Sequence, residues 1–335
     1  MSAALPLDSF LCSRLLGQEE AIRQFSSAIE RAESGPERHG RTRAFVLLMG
    51  PTGTGKTEMV KLTAGHLYGH DSSRCLERFD MGEYQHRDSV LRLLGAPGQP
   101  ALLGAAVDRL NALGGGMLLL DEIEKAHPDL LTALLSFDDA RTTMADGSTR
   151  DLSRCYVVMT SNLGAAEAAQ MSHNGYSAIR RKVIREAESF LRKETVARFS
   201  AVVVMNTLSF EVQERIAVAL FERELRVQSE HCRRVIEVAD ARVLNFLVGK
   251  GFSPDLGARN LRHVIERYVG DALRPFFPKG RSPSPSFPEK PSDRIGDRWS
   301  HGVVLAVVDD ALVARPLQRS VALDRLLSVT GSRFP

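Results

Sequence analysis

The run Gly50-Pro51-Thr52-Gly53-Thr54-Gly55-Lys56-Thr57 constrains this chain more than any other stretch, because it is a complete phosphate-binding P-loop pattern. An apolar run, Ala44 to Met49, leads into it and reads as a buried strand. Thr57 to Tyr68 follows, with Val60, Ala64 and Leu67 on one helical face. In that strand–loop–helix setting Pro51, Thr52, Gly53, Thr54 and Gly55 let backbone N–H groups curl around a phosphate. Lys56 reaches the β and γ oxygens, and Thr57 offers its hydroxyl to Mg²⁺. The pattern predicts binding of a nucleoside triphosphate.

A second apolar run, Met117 to Leu120, ends in Asp121-Glu122. A buried strand that delivers two carboxylates beside a P-loop is the Walker B arrangement. Asp121 is expected to hold Mg²⁺, partly through water, and Glu122 to polarise the water that attacks the γ-phosphate. Adjacent acids after a strand also occur as a plain helix cap; the P-loop decides for the catalytic reading. The next strand, Tyr156 to Thr160, leads to Asn162, whose amide is placed to meet the γ-phosphate or the lytic water. An isolated Asn there reads as a turn former.

Short apolar runs at Leu76–Met81, Met117–Leu120, Tyr156–Thr160 and Val202–Met205 alternate with helical patterns. Such alternation predicts an α/β fold with a parallel central sheet and helices on both faces. From about Ser209 the pattern turns helical, dividing the chain into an α/β domain over residues 1–208 and a smaller helical domain over 209–335. A Pro/Ser-rich stretch at about 275–300 reads as an extended insertion, with six prolines between Pro275 and Pro291. Beyond it, Val303–Val308 and Leu312–Ala314 flank Asp309-Asp310 as a terminal β-hairpin, and Gln318 to Pro335 read as a short helix with a loose end.

The net charge of +3 over 335 residues argues against nucleic acid or an anionic membrane as a partner. Cys12, Cys75, Cys155 and Cys232 have no metal-type spacing, and no apolar run approaches a membrane span. With no secretory signal, these features point to reduced thiols in a cytoplasmic protein.

The motifs together resemble an AAA+ ATPase, and in particular the second ATPase module of the ClpB-type Clp unfoldases. The matching runs are Leu16-Gly17-Gln18-Glu19-Glu20-Ala21, the P-loop, Phe79-Asp80-Met81-Gly82-Glu83-Tyr84, Gly95-Ala96-Pro97, Leu120 to Pro128, Met159 to Gly164 and Gly257-Ala258-Arg259-Asn260-Leu261-Arg262. The resemblance implies ATP as the nucleotide, with Leu16 and Gly17 near the adenine. It makes Asn162 sensor 1 and Arg259 sensor 2, reaching the γ-phosphate from a helical lid. Arg198, in Val196-Ala197-Arg198-Phe199, falls where the family carries an arginine finger that completes the neighbouring subunit's site. A homo-hexamer or related ring acting on a protein partner is implied with it.

The departures are equally specific. The family's Gly-Tyr-Val-Gly pore loop is replaced by Gly98-Gln99-Pro100-Ala101-Leu102-Leu103-Gly104, shorter and without an aromatic; Leu102 or Leu103 could supply some apolar grip, but a leucine there reads rather as helix core. No Ile-Gly-Phe-like tripeptide lies between Asn162 and Arg198, which argues against docking to a ClpP-type protease. ClpB's N-terminal domain, first ATPase module and coiled-coil middle domain have no counterpart in these residues. Two functions follow as expectations: an ATP-driven switch that remodels, assembles or disassembles one dedicated protein partner, or a Clp-like unfoldase that threads clients through a pore. A nucleic-acid-handling AAA+ ATPase is the weakest reading, given the near-neutral charge.

Overall fold

The apolar runs at Ala44, Gly116 and Cys155 are buried along their whole length, as strands covered on both faces must be. The computed structural model describes residues 5–35, 40–171, 173–253, 256–277 and 302–317. The chain divides into two compact units, Met1–Ser209 with Pro254–Gly257, and Phe210–Ser253 with Ala258–Pro335.

In the first unit the strands are β1 (Ala44–Met49), β2 (Leu76–Asp80), β3 (Gly116–Asp121), the short β4 (Arg141–Thr143) and β5 (Thr149–Asp151), β6 (Cys155–Ser161) and β7 (Ala201–Val204). Five of them form one sheet in the order β2-β3-β6-β1-β7, and every pairing in it is parallel. The expected parallel sheet is borne out. Alternate residues of each strand feed opposite faces. Phe45, Leu47, Met49, Leu118, Leu120, Val157 and Met159 pack one way, with buried residues of helices Arg87–Leu94, Leu102–Ala112, Pro128–Leu134 and Tyr176–Leu191. Val46, Leu48, Met117, Leu119, Tyr156 and Val158 pack the other, with those of helices Leu7–Cys12, Glu19–Ser34 and Lys56–Tyr68. Each such side chain contributes about 1.5–3 kcal/mol on burial, which is what holds the sheet between its helical layers.

Because β6 lies between β3 and β1, the ends of three strands open onto one edge. Met49 is in register with Ser161, and Leu120 with Met159, so the P-loop, Asp121 and Asn162 leave the sheet side by side. β7 is an edge strand, and side chains of helix Tyr176–Leu191 close its outer edge. Arg180 Nη2 donates to the Val202 carbonyl at 3.2 Å and Tyr176 Oη to the Val204 carbonyl at 3.0 Å.

The second unit joins helices Phe210–Cys232, Arg242–Gly251 and Ala258–Leu273 to a three-stranded sheet. Its strands are β8 (Ile236–Val238), β9 (Val303–Val308) and β10 (Ala311–Pro316), with Leu247, Leu261, Ile265, Val303 and Leu305 in its own core. β9 and β10 make the expected hairpin, and Asp309 and Asp310 turn it with φ of 49° and 54°. Most of the Pro/Ser-rich stretch and the expected terminal helix lie outside the described residues. Among the described residues no helix is long and apolar enough to cross a membrane.

Candidate nucleotide site

The P-loop turns sharply off the end of β1 and opens helix Lys56–Tyr68. Gly50 has φ 131°, and a Cβ there would sit 2.6 Å from the Met205 carbonyl oxygen, so only glycine fits. Gly55 caps the helix at φ 104° with no side-chain capping bond, which leaves the helix N-terminus facing outward as an anion cradle. Leu15 lies against it, with Cδ2 3.1 Å from where a Gly55 Cβ would be. That contact brings the Leu15-Leu16-Gly17 turn beside the P-loop. Thr54 Oγ1 donates to the Pro51 carbonyl at 2.8 Å and braces the loop from within.

Lys56 is only 7% exposed. Its Nζ donates to the carbonyls of Gly50 at 2.6 Å and Pro51 at 2.8 Å, and to Asn162 Oδ1 at 2.9 Å. Thr52 Oγ1 donates to the same Asn162 oxygen at 3.3 Å. The two motifs that the sequence placed in neighbouring strands are thus in direct contact.

Thr57 Oγ1 donates to Asp121 Oδ2 at 3.0 Å. A hydroxyl and a carboxylate so paired are hard oxygen donors of the kind Mg²⁺ takes when it also keeps waters and phosphate oxygens. Asp121, 4% exposed, is held from further sides: Thr160 Oγ1 donates to Oδ1, and Arg78 donates to Oδ2 through Nη2 at 2.8 Å and Nε at 3.1 Å. Thr160 Oγ1 also accepts the Glu122 N–H at 3.0 Å, so one hydroxyl ties both acidic residues to the end of β6.

Glu122 adopts a left-handed backbone, φ 59°, a conformation that costs a residue with a side chain about 1–3 kcal/mol and recurs at functional sites. Its Oε2 lies 2.5 Å from Lys125 Nζ, and Asn162 Nδ2 donates to its Oε1 at 3.4 Å. The Lys125 hydrogen bond, followed against the opposing effect of burial by that ammonium's charge, holds the Glu122 carboxyl below the usual carboxylate range. It is ionised at neutral pH, the form that can accept a proton from water.

Sequence reasoning assigned no role to Glu124, Lys125, Thr160 or Arg78. Glu124 Oε1 accepts two bonds from Asn162, the backbone N–H at 3.1 Å and Nδ2 at 3.0 Å, and so fixes which way the amide points. Glu124, Lys125 and Thr160 lie within the motif runs themselves, and only their spatial neighbours distinguish them. Arg78 had a weaker signal: it is two residues from Asp80 on the strand beside β3.

Arg198 pairs with Asp138 and Asp139 of its own chain. Arg259 is on the first turn of helix Ala258–Leu273, in the second unit. Of the two leucines expected in the helix core, Leu103 is fully buried but Leu102 is 45% exposed. Leu102 is the first residue of its helix, turned away from the face that Leu103, Val107 and Leu110 bury. Before it, Ala96 and Gln99 exchange backbone bonds of 3.0 and 2.8 Å, which closes Ala96-Pro97-Gly98-Gln99 into a tight turn. Asp146, on the loop between β4 and β5, accepts the Ala101 N–H at 3.2 Å, and the Ala145 N–H reaches the Leu94 carbonyl at 2.9 Å.

Residues 41–202 match the AAA domain (Cdc48 subfamily), and residues 208–284 match the C-terminal D2-small domain of ClpB protein. The chain is 34% identical over 277 residues to Chaperone protein ClpB 1 of Synechocystis sp., covering 80% of this chain and 30% of that protein. Against Chaperone protein ClpB of Rhodopseudomonas palustris the identity is 33% over 283 residues, 82% of this chain and 32% of the other. Meiothermus ruber ClpB gives 35% over 277 residues, 80% of this chain and 32% of the other. The chain spans about a third of the length of these curated relatives. With a P-loop, a Walker B pair and an asparagine joined at one sheet edge, the chain belongs to the AAA+ ATPases and matches the second ATPase module of ClpB.

Proposed function

We propose that the chain hydrolyses ATP and uses the cycle to remodel, assemble or disassemble a protein partner as part of a homo-hexamer or related ring, in the cytoplasm. The observation that carries this reading is the connected set Lys56–Asn162–Glu122 and Thr57–Asp121 at one edge of the sheet. In it Pro51, Thr52, Gly53, Thr54 and Gly55 enclose the phosphates and Lys56 swings from its loop carbonyls to the β and γ oxygens. Thr57 and Asp121 hold Mg²⁺, which when bound neutralises charge on the phosphate chain. Glu122 takes the proton of the attacking water, with Asn162 orienting it, and Lys125 keeps the carboxylate charged until ATP is in place. Leu16 and Gly17 line the adenine. Arg259 serves as sensor 2 from a lid domain over 209–335, and Arg198 reaches from the 1–208 domain to the neighbouring subunit's γ-phosphate.

The tight Ala96–Gln99 turn, without an aromatic, favours a dedicated partner over clients threaded through the pore. Docking to a ClpP-type protease and action on nucleic acid draw no support from any residue described above. The test is a trap: Glu122→Gln in the native host, held in ATP, with co-purifying proteins identified by mass spectrometry. One stoichiometric partner is expected, and a broad set of partly unfolded proteins would instead establish threading. Failure of Glu122→Gln to retain ATP while losing turnover would overturn the hydrolytic assignment itself.

A further inference from the structure

Arg198 is not a loose surface side chain. Asp138 Oδ2 accepts its Nε–H at 2.9 Å, while Asp138 Oδ1 lies 2.5 Å from Nη2 as an ion-pair contact rather than a second hydrogen bond. Asp139 Oδ2 stands 3.4 Å from the same Nη2. The Nε/Nη2 edge of the guanidinium is thereby engaged, and Nη1 remains for a further acceptor. Of the two acids Asp138 is the anchor, its side chain 13% exposed against 60% for Asp139.

Both halves of the pair hang from the beginning of β1. The Asp138 carbonyl accepts the Thr42 N–H at 3.0 Å, Asp139 bridges Arg41, and the Ala140 N–H reaches the Gly40 carbonyl at 3.1 Å. On the other side Phe199 stacks on Phe45, ring centroids 4.2 Å apart and planes within 9°, and the Ser200 N–H donates to the Phe45 carbonyl at 2.7 Å. A side chain as long as arginine normally samples many rotamers, and an exposed ion pair is a poor reason to restrain it. Here a mostly buried carboxylate on a rigid backbone fixes one edge of the guanidinium and turns the other outward.

We propose that Asp138 is a positioning residue for Arg198: it grips the Nε/Nη2 edge so that Nη1 is presented, in one orientation, to the phosphate of a neighbouring copy. The inference rests on the reading of Arg198 as the residue that acts on the adjacent subunit. Its value to turnover is orientation rather than charge, since a finger misplaced by an ångström loses most of its effect.

The test compares the full chain with Arg198→Ala, Asp138→Asn and the double variant, measuring kcat, KM for ATP and sedimentation at the same protein concentration. Asp138→Asn is expected to lower kcat roughly 100-fold with KM and assembly unchanged. The double variant should be no slower than Arg198→Ala alone, and Asp138→Glu should recover about a tenth or more of the rate. Turnover by Asp138→Asn within about threefold of wild type, alongside an inactive Arg198→Ala, overturns the proposal and leaves the finger standing. A double variant slower by the product of both losses also overturns it, because Asp138 would then act independently. Normal turnover by Arg198→Ala removes the finger reading and the proposal with it. Should Asp138→Asn fail to assemble, Arg198→Lys decides: it keeps the charge but has no Nε/Nη2 edge to grip, and full activity in it refutes the positioning role.

Discussion

Glu124→Gln isolates the bond pair that aims Asn162. The substitution keeps the shape and an acceptor oxygen, but turns two charge-assisted bonds, of 3.1 and 3.0 Å, into neutral ones. Each loses about 1 kcal/mol, the difference between a charged and a neutral acceptor. Glu124 Oε2 is buried and without a hydrogen-bond partner, so the new NH₂ gains no acceptor in exchange. If the pair is needed only while Asn162 orients the reacting groups, about 2 kcal/mol appears in the barrier, a fall in kcat of roughly 30-fold. Ground-state affinity for ATP should move less than about threefold, because Lys56 and the loop N–H groups are untouched. Single-turnover hydrolysis, with titration of a fluorescent ATP analogue beside it, separates the two. A kcat within about twofold of wild type in a normally folded variant would refute the chain from Glu124 through Asn162 to chemistry.

Lys125→Met removes the cation that holds the Glu122 carboxyl below its usual range. The sign follows: the wild-type acid limb of kcat falls below the ordinary carboxylate region, and the variant's limb moves up toward it, as a pH–rate profile would record. Lys56→Ala should weaken nucleotide binding on the order of 100-fold, since bonds to a charged donor are lost, and equal binding in a titration would remove the P-loop assignment. Gly50→Ala forces a Cβ to 2.6 Å from the Met205 carbonyl at a φ of 131°, and should cost about 1–3 kcal/mol or more in thermal unfolding. Leu103→Ala, at a fully buried position, should cost about 2–5 kcal/mol, while Leu102→Ala on the exposed first turn should stay within about 0.5 kcal/mol.

The sheet, and the edge that gathers Lys56, Asp121 and Asn162, were legible because they rest on unbroken apolar runs and on motifs whose residue types the chemistry dictates. Ala44–Met49 has no polar residue to turn outward, so it had to be a strand buried on both faces. Lys56, Asp121 and Asn162 follow or end such strands, and strand order brought them together. The bracing residues were harder to see. Nothing in sequence distinguishes Glu124, which aims an amide, from Glu83, a polar residue in an equally matched run. Asp138 and Arg198 are 60 residues apart, and only the pairing of residues 138–140 beside the entry to β1 brings them together. Leu102 misled for a local reason: adjacent apolar residues at a helix start cannot both face the core, and periodicity does not say which one turns in.

The last strand of the large sheet has a consequence for how copies of this chain can meet. Exposed strand edges are templates: an unpaired row of carbonyls will accept any extended segment, and crowded or heated proteins aggregate along such rows. On β7 the carbonyls of Val202 and Val204 already have donors, a guanidinium and a phenol borne on the helix alongside. A visiting strand would have to displace both before it could use those carbonyls. At that edge, then, the carbonyls of β7 are poorly placed to seed a backbone ladder from one molecule to the next.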